Sequence, residues 1–336
     1  MSGLAEFGKR LKMFYARWSV YLDMLFKLVL ALVSFIWIRS MTGYSSVFSN
    51  VFLMLVLAIL CMVLPLTAIP VFDGILIVGQ AFSVGLDAGA VAIALYLVLL
   101  ILFLRFVPDD AWEVSAMPVL VWIGLPVFLP VWCGLKRKPY ALIAIDSGLV
   151  LYGFVRALHI NEGKLTALGS SAYAARLKLI IGGTFSDRIV VLTLAVTAVI
   201  IMVYSVRNLS ADNAFLISIP VGGAVYVVFM LLGNVVLHTG MNLITGIIGT
   251  AAACLIAGLL EAMDTPLDYE KSEHLQFEDD EYYYYVKAVP KFASDSDRAS
   301  HEPEELMPGE KNDVSDQDSS KNVDYEKKLE DSLKNL

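Results

Sequence analysis

The chain has 336 residues, 57% of them hydrophobic and only 17% charged, with a mean hydropathy of +0.68. Such a composition excludes an ordinary water-soluble domain and selects an integral membrane protein with no nucleic-acid partner. The net charge of −8 averages two unlike parts: residues 264–336 hold 21 acidic and 9 basic residues, which leaves residues 1–263 at +4.

Residues 1–20 form a basic amphipathic segment. Leu4, Phe7, Leu11, Phe14 and Trp18 recur at three and four residues, with Lys9, Arg10, Lys12 and Arg17 mostly off that stripe. The pattern fits either a helix on an anionic membrane surface or a basic flank orienting the first span, and both place the N-terminus in the cytoplasm. No small-x-small cleavage site comes after the first apolar run, so no cleavable signal is expected.

Apolar runs long enough to span a bilayer lie at 21–39, 50–67, 87–106, 114–133, 139–157, 189–206, 214–236 and 240–263. The expected fold is an all-α polytopic integral membrane protein, its membrane domain at 21–263 with about eight transmembrane helices, some Pro/Gly-broken or re-entrant. Eight crossings return the tail to the cytoplasm. If 139–157 dips in and returns, the tail is exported. In the first span, Asp23 and Lys27 are placed for an i, i+4 pair.

Two stretches resemble each other. "LPLTAIPVFDG" (64–74) and "LPVFLPVWCG" (125–134) share Leu-Pro and Pro-Val-aromatic-x-Gly, and "LDAG" (86–89) matches "IDSG" (145–148) at nearly the same offset. An internal repeat over 50–106 and 114–157 is expected, with two crossings per unit and therefore parallel copies. Paired Pro/Gly interruptions in matching positions point to a transporter's binding site.

Acids inside such runs need compensation, because a carboxylate at the bilayer centre costs about 2.5–3.5 kcal/mol even on insertion scales. Asp87 and Asp146 fit three roles: caps of a following half-helix, members with Asp73 of a polar cavity for a cation or proton, or partners in a salt bridge. Asp73, Asp87 and Asp146 are therefore the candidate binding residues.

No metal, cofactor or catalytic site is expected. Cys61, Cys133 and Cys254 sit in apolar runs, and HExxH, GxSxG and zinc spacings are absent from the sequence. "LHTG" (237–240) reads as a polar turn between spans. Small residues across 245–258 form a close-packing face, either within the bundle or between protomers of a homo-oligomer.

Residues 264–336 lack the apolar content for a core and are expected to be mostly disordered. Their one island is 275–292, where Tyr282, Tyr283, Tyr284 and Tyr285 have strong strand propensity. An extended segment of this kind suits docking on a soluble cytoplasmic partner. The sequence-level expectation is a transporter or permease-type subunit in a plasma or bacterial inner membrane, not an enzyme. The alternative is a non-transporting scaffold that recruits a partner through the tyrosine-rich segment.

Overall fold

Proline has no N–H to give a helix and drives the residue before it into extended backbone, and two Leu-Pro pairs shape this fold. A computed structural model describes residues 2–136, 138–168, 172–209, 214–264, 273–278 and 283–288. Helix α1 (Ser2–Met41) leaves helical dihedrals at Trp18 (φ −118°, ψ 17°), where the basic amphipathic segment meets the first apolar span. Helix α2 (Val51–Val63) opens on Asn50, whose side chain accepts from Phe52 N, and stops at Leu64, extended at φ −77°, ψ 164° ahead of Pro65.

Helix α3 (Ala68–Val84) then runs back beside α2. Near its end, Gln80 Oε1 accepts from Ser45 N at 2.9 Å and Gln80 Nε2 donates to Ser49 Oγ at 2.8 Å, and both serines lie just before α2 begins. So α2 and α3 form a helical hairpin that enters and leaves at the same end of the bundle, here called the apical end. Helix α4 (Leu86–Phe106) turns at Gly85 and descends along α3; Tyr96 OH donates to Pro70 O at 2.6 Å.

A second hairpin enters from the opposite, basal end. Helix α5 (Trp112–Trp122) rises to a tip at 123–127, where Gly124 takes φ +86°, and α6 (Phe128–Leu135) comes back down. The arms are antiparallel: Cys133 Sγ donates to Glu113 Oε1 at 3.2 Å, and Lys138 Nζ donates to Asp110 Oδ1 at 2.7 Å. At 1.5 Å per residue, α2, α5 and α6 reach only about 20, 17 and 12 Å, short of the roughly 30 Å hydrocarbon layer.

A 3₁₀ turn (Pro139–Ala141) leads into α7 (Leu142–Ala167), and α8 (Tyr173–Thr184), α9 (Asp187–Arg207), α10 (Ala214–Val236) and α11 (Leu243–Asp264) complete the bundle. Among the described residues, six apolar segments are long enough to cross a membrane: Arg17–Met41, Leu86–Phe106, Pro139–Ala167, Tyr173–Arg207, Leu216–Val236 and Leu243–Glu261. Phe52, Val63, Leu86, Ile244 and Leu255 are each about three-quarters exposed, as suits side chains that face lipid. This is a multi-pass membrane architecture.

Two expectations change here. Segments 50–67 and 114–133 do not hold unbroken helices of spanning length; the first contains α2 and its terminating proline, and the second is split between α5 and α6. The unit α2–α3–α4 also runs opposite to α5–α6–α7, because each unit pairs a returning hairpin with one long helix rather than making two crossings. Pro70 and Pro130 occupy the third position of α3 and α6, within a first turn whose N–H groups have no helical acceptor in any case.

The core has two lobes. Phe35, Leu76, Phe103 and Phe154 belong to one and Met117, Leu129, Ile145 and Val199 to the other, with α5 and α7 contributing to both. The small-residue face of α11 packs inside the chain. Gly249 meets the backbone of Gly124 at the second hairpin's tip, Gly246 meets Met230, and Ala253 and Ala257 are fully buried. "LHTG" is a turn, with His238 at φ +49° and Asn234 Oδ1 accepting from Met241 N and Thr239 Oγ1.

In the tail, β1 (Glu273–Glu278) pairs antiparallel with β2 (Tyr283–Ala288), in a register that sets Leu275 opposite Val286 and Phe277 opposite Tyr284. The strand propensity of the tyrosine-rich segment is thus realised as half of a hairpin. Tyr282 and the disorder expected over the rest of 264–336 lie outside the described residues.

A Cβ at Gly249 would fall 2.0 Å from the Gly124 carbonyl oxygen, whereas one at Gly163 would meet nothing within 4 Å. Gly249→Val is expected to abolish a cooperative melting transition in detergent. Gly163→Ala, in an open stretch of α7, is expected to raise stability by about 0.5–1 kcal/mol. Melting curves of the two purified variants check both.

Candidate functional site

Breaking a helix inside a membrane frees backbone carbonyls that lipid cannot satisfy. At the first tip the protein supplies the donor: Lys27 Nζ on α1 donates to Leu64 O at 2.9 Å. The ammonium thus meets the carbonyl end of α2, where the helix dipole favours a cation.

Above this tip, Asp73 on α3 is only 3% exposed. Ser34 Oγ on α1 donates to its Oδ1 at 2.6 Å, and Ser115 of α5 faces the same carboxylate. Asp73 therefore sits where α1, the first hairpin and the second hairpin meet.

Asp146 is the fifth residue of α7 and so no cap. Its Oδ2 accepts from Thr197 Oγ1 of α9 at 3.1 Å, while Oδ1 is buried with no hydrogen bond. Asp87, in the first turn of α4, is an ion-pair member. Arg176 of α8 holds it with two bonds, Nε–Oδ2 at 2.5 Å and Nη2–Oδ1 at 3.0 Å, and also donates to Leu165 O and Val84 O. Gly85 makes room, since a Cβ there would fall 2.4 Å from Arg176 Nη2.

The three aspartates expected to share a cavity thus have separate partners on separate helices. Asp87 takes the salt-bridge role, and buried Asp73 and half-buried Asp146 have only hydroxyl donors.

A fourth carboxylate belongs beside these two. Glu113 on α5 is 2% exposed; its Oε1 takes the Cys133 thiol and its Oε2 has no hydrogen-bond partner. A lone acid in "AWEVSAMPVL" carries the same signal as Asp146, an uncompensated charge inside an apolar run, but it lies near the boundary of an expected span.

Basal charges close the bundle. Glu261 of α11 accepts from Arg207 Nη2 at 2.9 Å and lies 3.5 Å from Lys136 Nζ, joining α6, α9 and α11. Lys136 also sits 4.7 Å over the Trp132 ring, a cation–π contact. Asp110 holds the Lys138 ammonium above its ordinary pKa through their hydrogen bond.

Asp73 lies where α1 meets both hairpins, Glu113 at the base of the second hairpin and Asp146 between α7 and α9. Groups of this kind can take up and release a proton or contact a passing polar solute, since each has hydroxyl or thiol neighbours and no fixed counter-cation among the described residues. Among those residues, no three His, Cys, Asp or Glu side chains converge as a metal set.

Removing one partner of a buried ion pair leaves the other uncompensated, at about 3–5 kcal/mol. Asp87→Asn and Arg176→Gln are each expected to lower detergent-phase stability by that order, with the double variant less damaged than the sum. A double-mutant cycle on unfolding free energy measures the coupling. Lys27→Met, which strands the Leu64 carbonyl, is expected to cost about 1–3 kcal/mol in the same assay.

No protein family model, curated protein or solved structure matches the chain.

Proposed function

We propose that the protein is a transporter or permease-type subunit that moves a small solute or ion across a cell membrane. The observation that carries this reading is the pair of proline-broken hairpins inserted from opposite ends, with buried Asp73 in one and buried Glu113 in the other. Opposed units of similar sequence, α2–α3–α4 and α5–α6–α7, match the inverted-repeat plan in which discontinuous helices form a binding site near the midplane. Six crossings and two re-entrant hairpins replace eight crossings in this reading.

Sidedness comes from charge. The basal end carries Arg17, Arg105, Lys136, Lys138 and Arg207, and the positive-inside rule assigns it to the cytoplasm. An even number of crossings puts the N-terminus and the tail on that same side. The tail's β-hairpin supports the second reading, a scaffold that recruits a soluble partner, because a two-stranded ribbon leaves both outer edges open for strand addition.

Proteoliposomes separate the two. Reconstituted protein is expected to pass a proton or small solute, with Asp73→Asn and Asp146→Asn each reducing flux by about tenfold or more and Asp109→Asn, at an exposed position before α5, leaving it near wild type. Flux identical in wild type and both core variants removes these carboxylates from the mechanism. An absence of flux in the wild type, together with a soluble partner lost on deletion of 273–288, favours the scaffold.

A further inference from the structure

The tip of the second hairpin forms one wall of a cavity of about 160 Å³. Gly124 lines it from the tip, Tyr152 from α7, Arg188 from the start of α9, Tyr226 from α10, and Asn242 and Thr245 from the start of α11. Arg156 lies one turn beyond Tyr152 on α7, and the Arg188 charge acts unfavourably on that of Arg156. Both side chains are half-buried.

Two cations in a partly buried site normally draw a carboxylate. Among the described residues, neither arginine has an acidic ion-pair partner, whereas Arg176 and Arg207 each have one. The acids on the same two helices are otherwise disposed: Asp146 of α7 takes Thr197, and Glu162 of α7 and Asp187 of α9 are exposed.

The remaining polar groups also favour negative charge. Tyr152, Tyr226 and Thr245 bring hydroxyl donors, and α11, a helix of 22 residues, turns its N-terminal first turn to the cavity. That end of a helix carries the positive pole of its dipole. Asn242 Oδ1 already accepts from Ile244 N and Thr245 N, so this turn offers a ligand its dipole rather than those two N–H groups.

We propose that this cavity is a binding site for a small oxyanion of the phosphate type, with Arg188 as its charged anchor, Arg156 as a second cation and the hydroxyls as neutral donors. Guanidinium matches a tetrahedral oxyanion through paired N–H donors. The phosphate group can come from a soluble solute or from a lipid headgroup, and the chemistry at the site is the same for both. Occupancy of the site does not depend on the transport reading; only the fate of the bound anion does, so an equilibrium measurement tests binding separately from flux.

The full-length protein in a maltoside detergent, which carries no phosphate, is titrated with inorganic phosphate by calorimetry and thermal melting. Wild type is expected to bind and to melt higher with phosphate. Arg188→Gln is expected to bind about tenfold or more weakly, the loss of one charge-assisted hydrogen bond. Without phosphate it should melt no lower than wild type, because a like-charge repulsion is gone. Arg156→Gln gives the same comparison should the first variant not fold, and Arg188→Lys should keep part of the affinity.

Where free phosphate does not bind, protein from phosphatidylglycerol nanodiscs is examined by native mass spectrometry. A lipid retained by wild type and lost from Arg188→Gln assigns the anion to a headgroup. Neither phosphate nor lipid bound by wild type, or either bound equally well by both glutamine variants, overturns the proposal.

Discussion

Hydrocarbon offers no hydrogen-bond partner, and that single constraint governs the bundle. A helix that ends inside it leaves carbonyls and N–H groups that another part of the protein must meet. Lys27 answers the Leu64 carbonyl at the end of α2. At the second tip the chain turns tightly on Gly124, and Gly249 of α11 lies against its backbone. The hairpin tips are therefore met by neighbouring helices, while Phe52 and Val63 of α2 still face outward.

The division of the core has the same origin. α5 and α7 contribute to both lobes, so the first hairpin's surroundings and the second's communicate through two helices. Gly148 of α7 lies against Val114 and Met117 of α5, and Gly153 lies against Thr184 at the α8–α9 junction. Such close backbone approaches, made possible by small residues, bring neighbouring helices into direct contact.

Much of this was legible in the residues. The two Leu-Pro motifs announced where helices stop, and "LHTG" announced a turn, since proline and glycine act locally whatever surrounds them. The basic stripe before Trp18 marked the site of the α1 break. What length and hydropathy could not tell was direction: residues 50–67 and 114–133 are apolar enough to cross, and only the contacts of Gln80 and Cys133 reveal that the chain returns. The aspartates were visible as costly groups, but their partners were not. Asp87 is matched by an arginine far along the chain, Asp146 by a threonine that no periodicity marks, and Glu113 was obscured by its place near a span boundary. Nor could charge counting set Arg188 beside Tyr152 and Tyr226, because the three lie on different helices and share only a cavity.

The Asp87–Arg176 pair has a consequence for how the molecule is made. Its members are 89 residues apart, and the acid is synthesised first. At about 5–20 residues per second, roughly 4–18 s pass before the ribosome delivers the arginine. Until then the carboxylate in the first turn of α4 is without its arginine, so this contact closes only after α8 has been made.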